Sequence, residues 1–267
     1  MNLPKNKKQR FSLFAITLFL GILVITATFI VLKILTPKEN FVYAKVKVAQ
    51  GLWWASTQKP AFWFAKAISR GDSEHDLLGR TIAQVTDVRY YPDIEDKYNI
   101  YLTLKLASSG KGGKYSFKNS PLSVGSPIEL ELNRSLVTGT VIDMNENPFE
   151  EKYVDKKVLL RKIPAYRWEY NAINIGDEFS DGKEVVFKVI SKNVLGYSNI
   201  SKTLGEDRYL VLPTGSTLEI SVLASIKLKY ADGFYFFGEE KAVRPGATFS
   251  VSTPNFDFRD FEVVSLE

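Results

Sequence analysis

The chain has 267 residues, 45% of them hydrophobic, which is enough to bury a core in each of two domains of ordinary size. It contains no cysteine, which excludes disulfides, thiol nucleophiles and thiolate metal sites. The formal net charge is +5, but residues 1–10 carry four of these charges and residues 11–267 only the remaining +1, too little for the basic surface that a nucleic-acid partner requires.

Residues 1–10 and 11–35 together predict a membrane anchor. No charged residue occurs from Phe11 to Leu32, and these 22 residues as a helix span roughly 30 Å of hydrocarbon. The alternative is a cleaved signal peptide, whose apolar core is usually only about 7–15 residues long. The basic tail 1–10 precedes the span and predicts a cytoplasmic N-terminus. We therefore expect a single-pass cell-membrane protein whose remaining residues lie outside the cytoplasm and whose residues 11–35 contact the lipid bilayer.

The rest of the chain predicts two small β modules, residues 36–147 and 148–267. Apolar and polar residues alternate over 42–48, 100–106, 128–132 and 218–228, as they do in half-buried strands. The predicted fold class is mainly β: one N-terminal transmembrane helix followed by two tandem small antiparallel β-barrel or sandwich modules, each with a short helix.

A ten-residue pattern, Trp-x3-Ala-Ile-x2-Gly-Asp, occurs once in each module, at 63–72 and again 105 positions later at 168–177. Such a repeat indicates a duplicated unit. The spacing predicts a short helix whose tryptophan covers the end of the module, with the glycine as its C-terminal cap and the aspartate in a turn. The pattern positions that we assign to structure are Trp63, Ala67, Gly71, Asp72, Trp168, Ala172, Gly176 and Asp177.

The two copies differ in one region. Residues 121–128 match residues 242–249, so the offset between the copies grows from 105 to 121 and the second copy holds about 16 additional residues. We place this insertion within residues 193–215, and loops that grow on a fixed scaffold often carry specificity. Residues 145–152 are polar and predict a linker or a long turn between the modules.

No catalytic, metal-binding or cofactor-binding motif is recognisable, so we predict no such site and no cofactor. His75 is the only histidine, and Ser73, His75 and Asp76 are too close in sequence to converge as a triad. The neighbouring carboxylates Glu150–Glu151 and Glu239–Glu240 point to opposite faces of a strand, which favours solvated turn residues over an acid/base pair.

Aromatic residues are the better candidates for contacts with a membrane surface or a partner. Trp53 and Trp54 have no counterpart in the second copy, and together with Phe62 and Phe64 they are our predicted contact residues. Core packing is the alternative for these side chains. Residues 234–237 are apolar on both faces of a strand, which indicates either burial on both sides or a docking point between the modules.

The N-terminal helix, the segment Gly79-Arg-Thr-Ile-Ala-Gln-Val85 and the segments 122–126 and 137–141 resemble a bacterial membrane-anchored family catalogued as domain of unknown function 4330. The resemblance covers most of each module and implies no activity or functional residue, because none is assigned to that family. The hairpin 137–141 is also similar to β-barrel pieces of periplasmic adaptor proteins in efflux and secretion, although this chain lacks their long heptad hairpin.

These observations favour a non-enzymatic envelope protein that acts as a scaffold or docking module for another envelope or secretion component. The expected partner is an envelope protein or a further copy of the chain. An enzyme acting on glycan or cell-wall material through unidentified carboxylates is one alternative. A sensor that binds a small ligand between the modules is another.

Overall fold

The structure, a computed structural model, describes residues 16, 18–28, 40–49, 59–92, 97–111, 114–198, 201–203, 209–211 and 217–267. The chain divides into two units, Met1–Asn40 and Phe41–Glu267. In the first unit residues 18–28 are helical (α1). No helix within the described ranges is both long and apolar enough to cross a membrane. Most of the span predicted at residues 11–35 lies outside those ranges, and the span stays a prediction.

The first half of the unit Phe41–Glu267 forms one curled antiparallel sheet. Over the described residues its strands follow the order β2-β3-β4-β1-β8-β7, with β5 paired to β4 and β6 paired to β5. The elements are β1 (Asn40–Val48), α2 (Phe62–Ala67), β2 (Ser73–His75), β3 (Thr81–Pro92), β4 (Tyr98–Lys111), β5 (Lys114–Phe117), β6 (Ser120–Leu122), β7 (Pro127–Leu132) and β8 (Ser135–Asn145).

The second half repeats this topology. Its order is β10-β11-β14-β9-β18-β17, with β15 paired to β14 and β16 paired to β15. The elements are β9 (Lys152–Tyr166), α3 (Arg167–Ala172), β10 (Glu178–Ser180), β11 (Val185–Ser198), β12 (Ser201–Thr203), β13 (Tyr209–Val211), β14 (Thr217–Ala231), β15 (Phe234–Phe237), β16 (Lys241–Ala242), β17 (Thr248–Ser252) and β18 (Asp257–Leu266). The hairpin β12–β13 has no equivalent among the described residues of the first half and lies within the predicted insertion.

The predicted mainly β fold with tandem barrel-like sheets is confirmed. Alternation places one face of each strand inside: in β4 Ile100, Leu102, Leu104 and Leu106 are fully buried. In β14 the same holds from Ile220 to Leu228 at every second residue. Burying one such side chain contributes roughly 1.5–3 kcal/mol, so these two central strands dominate the cores. The division of the chain at 147/148 stays a prediction, because both sheets belong to one unit.

In each sheet a side-chain hydrogen bond connects the two outer strands or the turns beside them. In the first sheet the Ser73 amide, in β2, donates to Asn133 Oδ1 in the β7–β8 turn at 3.3 Å. In the second sheet Asn255, in the β17–β18 turn, donates from Nδ2 to Asp177 Oδ1 at 2.6 Å. The sheets therefore curl towards closure at corresponding places.

The repeated pattern does form a short helix in each module, but its tryptophans do not cover the core. Trp63 and Trp168 are 67% and 64% exposed. The isoleucines of the pattern, Ile68 and Ile173, are buried instead. A helix of six residues makes less than two turns, so only one narrow face meets the sheet, and the tryptophan lies outside that face.

The glycine of the pattern is not the helix cap that we predicted. Each helix ends at Ala67 or Ala172, and the next residue is already extended. Gly71 and Gly176 lie in a separate turn with φ of 94° and 93°, a region that favours glycine. Asp72 and Asp177 close these turns, because each carboxylate accepts a backbone N–H three residues earlier at 2.8 Å.

Candidate functional site: the seam between the modules and an open groove

The two sheets meet along a seam that buries ionised side chains. Arg89 of β3 is buried and places Nη1 2.5 Å from Oδ2 of Asp181, which is fully buried between β10 and β11. The Tyr91 hydroxyl donates to the same oxygen at 3.2 Å. The backbone N–H of Tyr90 donates to the Asp181 carbonyl at 2.9 Å. These four residues form the Arg89 cluster, which joins the modules through both side chains and backbone.

A hydroxyl that donates inside the Arg89 cluster must keep its proton. Burial, reinforced by the Asp181 carboxylate, raises the pKa of Tyr91 well above its ordinary value. Tyr153 of β9 lies against the cluster, with its ring centroid 4.4 Å from the Arg89 Cζ atom, and burial raises its pKa as well. Both phenols are therefore neutral over the physiological pH range, and the arginine carries the local positive charge.

A second cluster alternates two ammonium groups with two carboxylates. Lys45 of β1, only 2% exposed, contacts Glu151 and lies 2.9 Å from Glu239. Lys229 of β14 contacts the same two carboxylates at 2.7 and 2.5 Å. Burial alone would raise the pKa of Glu151, but the two lysines outweigh burial and lower it to about 2. We call these four residues the Lys45 quartet.

The quartet corrects our expectation that Glu151 and Glu239 are solvated turn residues. Both are adjacent in sequence to a second glutamate, and only one member of each pair turns inward. Both are largely shielded from water, with side-chain exposures of 18% and 6%, and they neutralise Lys45 across the seam and Lys229 within their own module. In sequence, Lys45 occupies an outward position of the alternation in β1, and nothing local shows that another module covers that face.

Aromatic rings fill the seam between the two ionic clusters. Tyr91 packs edge-on against Phe237 of β15 with centroids 5.2 Å apart, and Tyr90 faces Phe179 of β10 at 6.4 Å. Two glycines permit this approach: a Cβ at Gly182 would lie 2.5 Å from the Tyr90 ring, and one at Gly238 would lie 3.0 Å from the Tyr91 ring. Of residues 234–237, Phe237 is buried and lies where the modules dock, the second of our two predicted alternatives, whereas Phe234 is exposed.

Lys241 of β16 lies at the edge of the seam. Its Nζ donates to the Ser250 carbonyl at 3.3 Å, and within the described ranges it forms no salt bridge with a carboxylate. Burial lowers the pKa of Lys241 to about 8. A partly neutral amine is a better nucleophile than an ordinary lysine. Lys241 is therefore the most reactive side chain of the seam.

The first module also has an open groove of about 490 Å³ on its outer surface. Its floor is apolar and consists of the buried side chains Phe117, Leu122 and Ile128. Lys118, Glu129 and Glu131 lie at its rim and are exposed. This volume is within the range of ordinary ligand pockets, and the groove is open along one side.

The predicted contact residues are only partly placed by the structure. Trp53 and Trp54 lie outside the described residues. Phe62 is 42% exposed and packs on Tyr90 and Tyr98, whereas Phe64 is buried in the core and is not available as a contact. His75 is exposed on β2. Among the described residues no three potential ligands group together to hold a metal ion.

Sequence patterns gave no indication of Arg89, Asp181 or the Lys45 quartet, whose contacts across the seam join residues 92 to 194 positions apart. The only available signal was the run Val88-Arg-Tyr-Tyr-Pro92, in which an arginine stands among residues that favour burial. Comparison of the chain with protein-family models, with curated proteins and with solved structures finds no match. The resemblance to domain of unknown function 4330 stays a prediction.

Proposed function

We propose that the protein is a single-pass, membrane-anchored envelope protein that acts as a non-enzymatic scaffold, presenting its two β modules to another envelope or secretion component. The observation that carries the proposal is the seam. Two ionic clusters and packed aromatic rings hold the modules in one unit. A rigid unit of this kind suits a scaffold better than a protein whose domains open and close.

The carboxylates of the seam support the non-enzymatic part of the proposal. A general acid must hold a proton near neutral pH, and a pKa of about 2 leaves Glu151 ionised throughout. Glu151 and Glu239 are each shared by two lysines, so their charge is already neutralised. This arrangement stabilises a structure and leaves neither carboxylate available for glycoside hydrolysis.

The anchored topology is tested by labelling single cysteines, because the natural chain has none. Asn6→Cys lies in the basic tail, and Leu77→Cys lies in a fully exposed turn of the first module. In intact cells a membrane-impermeant maleimide should label Leu77→Cys and leave Asn6→Cys unlabelled until the cells are lysed. Equal labelling of both variants in intact cells would exclude this orientation.

The predicted contact site is tested separately. The double substitution Trp53→Ser/Trp54→Ser should release copurifying protein from the full-length chain, and Trp63→Ser serves as a control at an exposed tryptophan of the repeat. If the double variant retains every copurifying protein and its membrane contact, these two residues are not the contact site.

A further inference from the structure

The two modules share their strand order, and most positions of one can be matched to positions of the other. Each has a bulge at the same place in its third strand, Thr86 in β3 and Ile190 in β11. Counted from that bulge, Tyr90 and Tyr91 correspond to Val194 and Leu195, although β11 has a second bulge at Leu195 that β3 lacks. In the hairpins that follow, Phe117 pairs with Ser120 as Phe237 pairs with Lys241.

This correspondence shows that the seam joins two different faces of one module type. The first module contributes the end of β3, with Tyr91 and Pro92, and the second contributes the hairpin face formed by Phe237, Lys241 and Ser250. A contact between two unlike faces is heterologous, so within the described residues the other face of each module has no partner.

The unused face of the first module is the open groove. Its residues Phe117, Ser120 and Glu129 correspond to Phe237, Lys241 and Ser250 of the seam. Tyr91 of the first module covers this face of the second module. The same face of the first module is an open cavity of about 490 Å³ above an apolar floor.

The unused face of the second module is apolar as well. Val194 and Leu195, at the positions of Tyr90 and Tyr91, are 43% and 57% exposed, and Tyr197 beside them is 67% exposed. Adjacent exposed apolar side chains on one strand mark an interaction surface more often than scattered ones do.

We propose that the chain associates head to tail with further copies of itself, the Leu195 face of one copy occupying the groove of the next as Tyr91 packs on Phe237 within a copy. The occupant is a second copy because the seam is an established example of this contact, and the part of the chain that the structure describes leaves one face of each kind without a partner. Repetition gives an open row of modules unless the rotation between copies closes a ring. The inference goes beyond the docking role proposed above, because it uses only residues of the unit Phe41–Glu267 and needs no anchor.

The test uses full-length chains with cysteines at corresponding seam positions, since both sites are exposed and the background has no cysteine. Ser120→Cys and Leu195→Cys chains, mixed and oxidised, should form a disulfide-linked dimer at least about tenfold more than a mixture of Leu77→Cys and Leu195→Cys chains. A chain with both Ser120→Cys and Leu195→Cys should give a ladder of dimers, trimers and longer species on a non-reducing gel.

Equal crosslinking in the two mixtures would overturn the proposal, and so would a double variant that gives no species beyond those of the single variants. Cysteine-free Leu195→Arg provides a second readout: in sedimentation velocity it should lose the concentration-dependent association of the natural chain. Association that Leu195→Arg leaves unchanged would assign self-association to another part of the chain and contradict the groove. Failure of either experiment leaves the maleimide result on topology untouched.

Discussion

Of the single residues, Arg89 is the one whose removal we expect to destabilise the folded chain most. Its partner Asp181 is fully buried and would be left with an uncompensated charge. Removing one member of a buried pair typically costs about 3–5 kcal/mol. We therefore expect Arg89→Ala to lower the free energy of urea unfolding by about 3 kcal/mol. Lys188→Ala is the control, since its pair with Glu178 is half exposed and contributes less than about 1 kcal/mol. Equal losses in the two variants would show that the Arg89 cluster does not stabilise the seam.

Glu151 makes stability depend on acidity. Its pKa falls from an ordinary 4.5 to about 2 in the folded chain, so the folded state binds this proton less readily than the unfolded state does. The stabilisation is complete above about pH 5 and is lost as the pH falls from 4.5 towards 2, at most about 3 kcal/mol. Urea midpoints measured from pH 6 to pH 2 should fall less steeply for Glu151→Gln than for the natural chain. Parallel curves would contradict the role of the Lys45 quartet.

These ionic residues also show where sequence patterns stop being informative. Alternation places Val42, Ala44 and Val46 inside β1 because strand side chains have a period of two, and the structure confirms that face. The same alternation assigns Lys45 to water. What buries Lys45 is a second module whose carboxylates lie 106 and 194 positions away, and no local pattern encodes that contact.

At the scale of elements, the turn between β10 and β11 lies close against β3. This close approach is possible because Gly182 in the turn has no side chain. Gly176→Ala and Gly182→Ala introduce the same methyl group at φ of 93° and 100°, which costs both variants about 1–2 kcal/mol. Only the Gly182 methyl would meet a neighbour, the Tyr90 ring at 2.5 Å. We expect Gly182→Ala to destabilise the chain by at least about 1 kcal/mol more than Gly176→Ala in thermal or urea unfolding. A smaller difference would mean that the two modules can move apart at the seam, to make room for the methyl group, without a loss of folding free energy.

The short helices illustrate a partly successful prediction. Their spacing in sequence correctly indicated one helix at the same place in each module. The face was wrong because the pattern gave equal weight to Trp63 and Ile68, whereas the structure buries the isoleucine that follows the helix and leaves the tryptophan exposed. The Gly-Asp pair that follows is repeated because both turns need a positive φ and a carboxylate acceptor.

At the scale of the whole molecule, topology explains why duplication yields one unit. Both modules have the same strand order, yet the seam uses a different face of each, so the second module extends the first. Buried ionic contacts between the two modules hold them in one arrangement, which is the property that a scaffold needs.

The most direct test of the scaffold proposal is crosslinking mass spectrometry combined with native-size analysis of the full-length protein, gently extracted from its own membrane. The proposal predicts an assembly that contains a different envelope protein, with reproducible crosslinks from residues 51–64 or 193–215 to that protein. A species that contains only this chain, as a monomer or as copies of itself, would contradict the docking role.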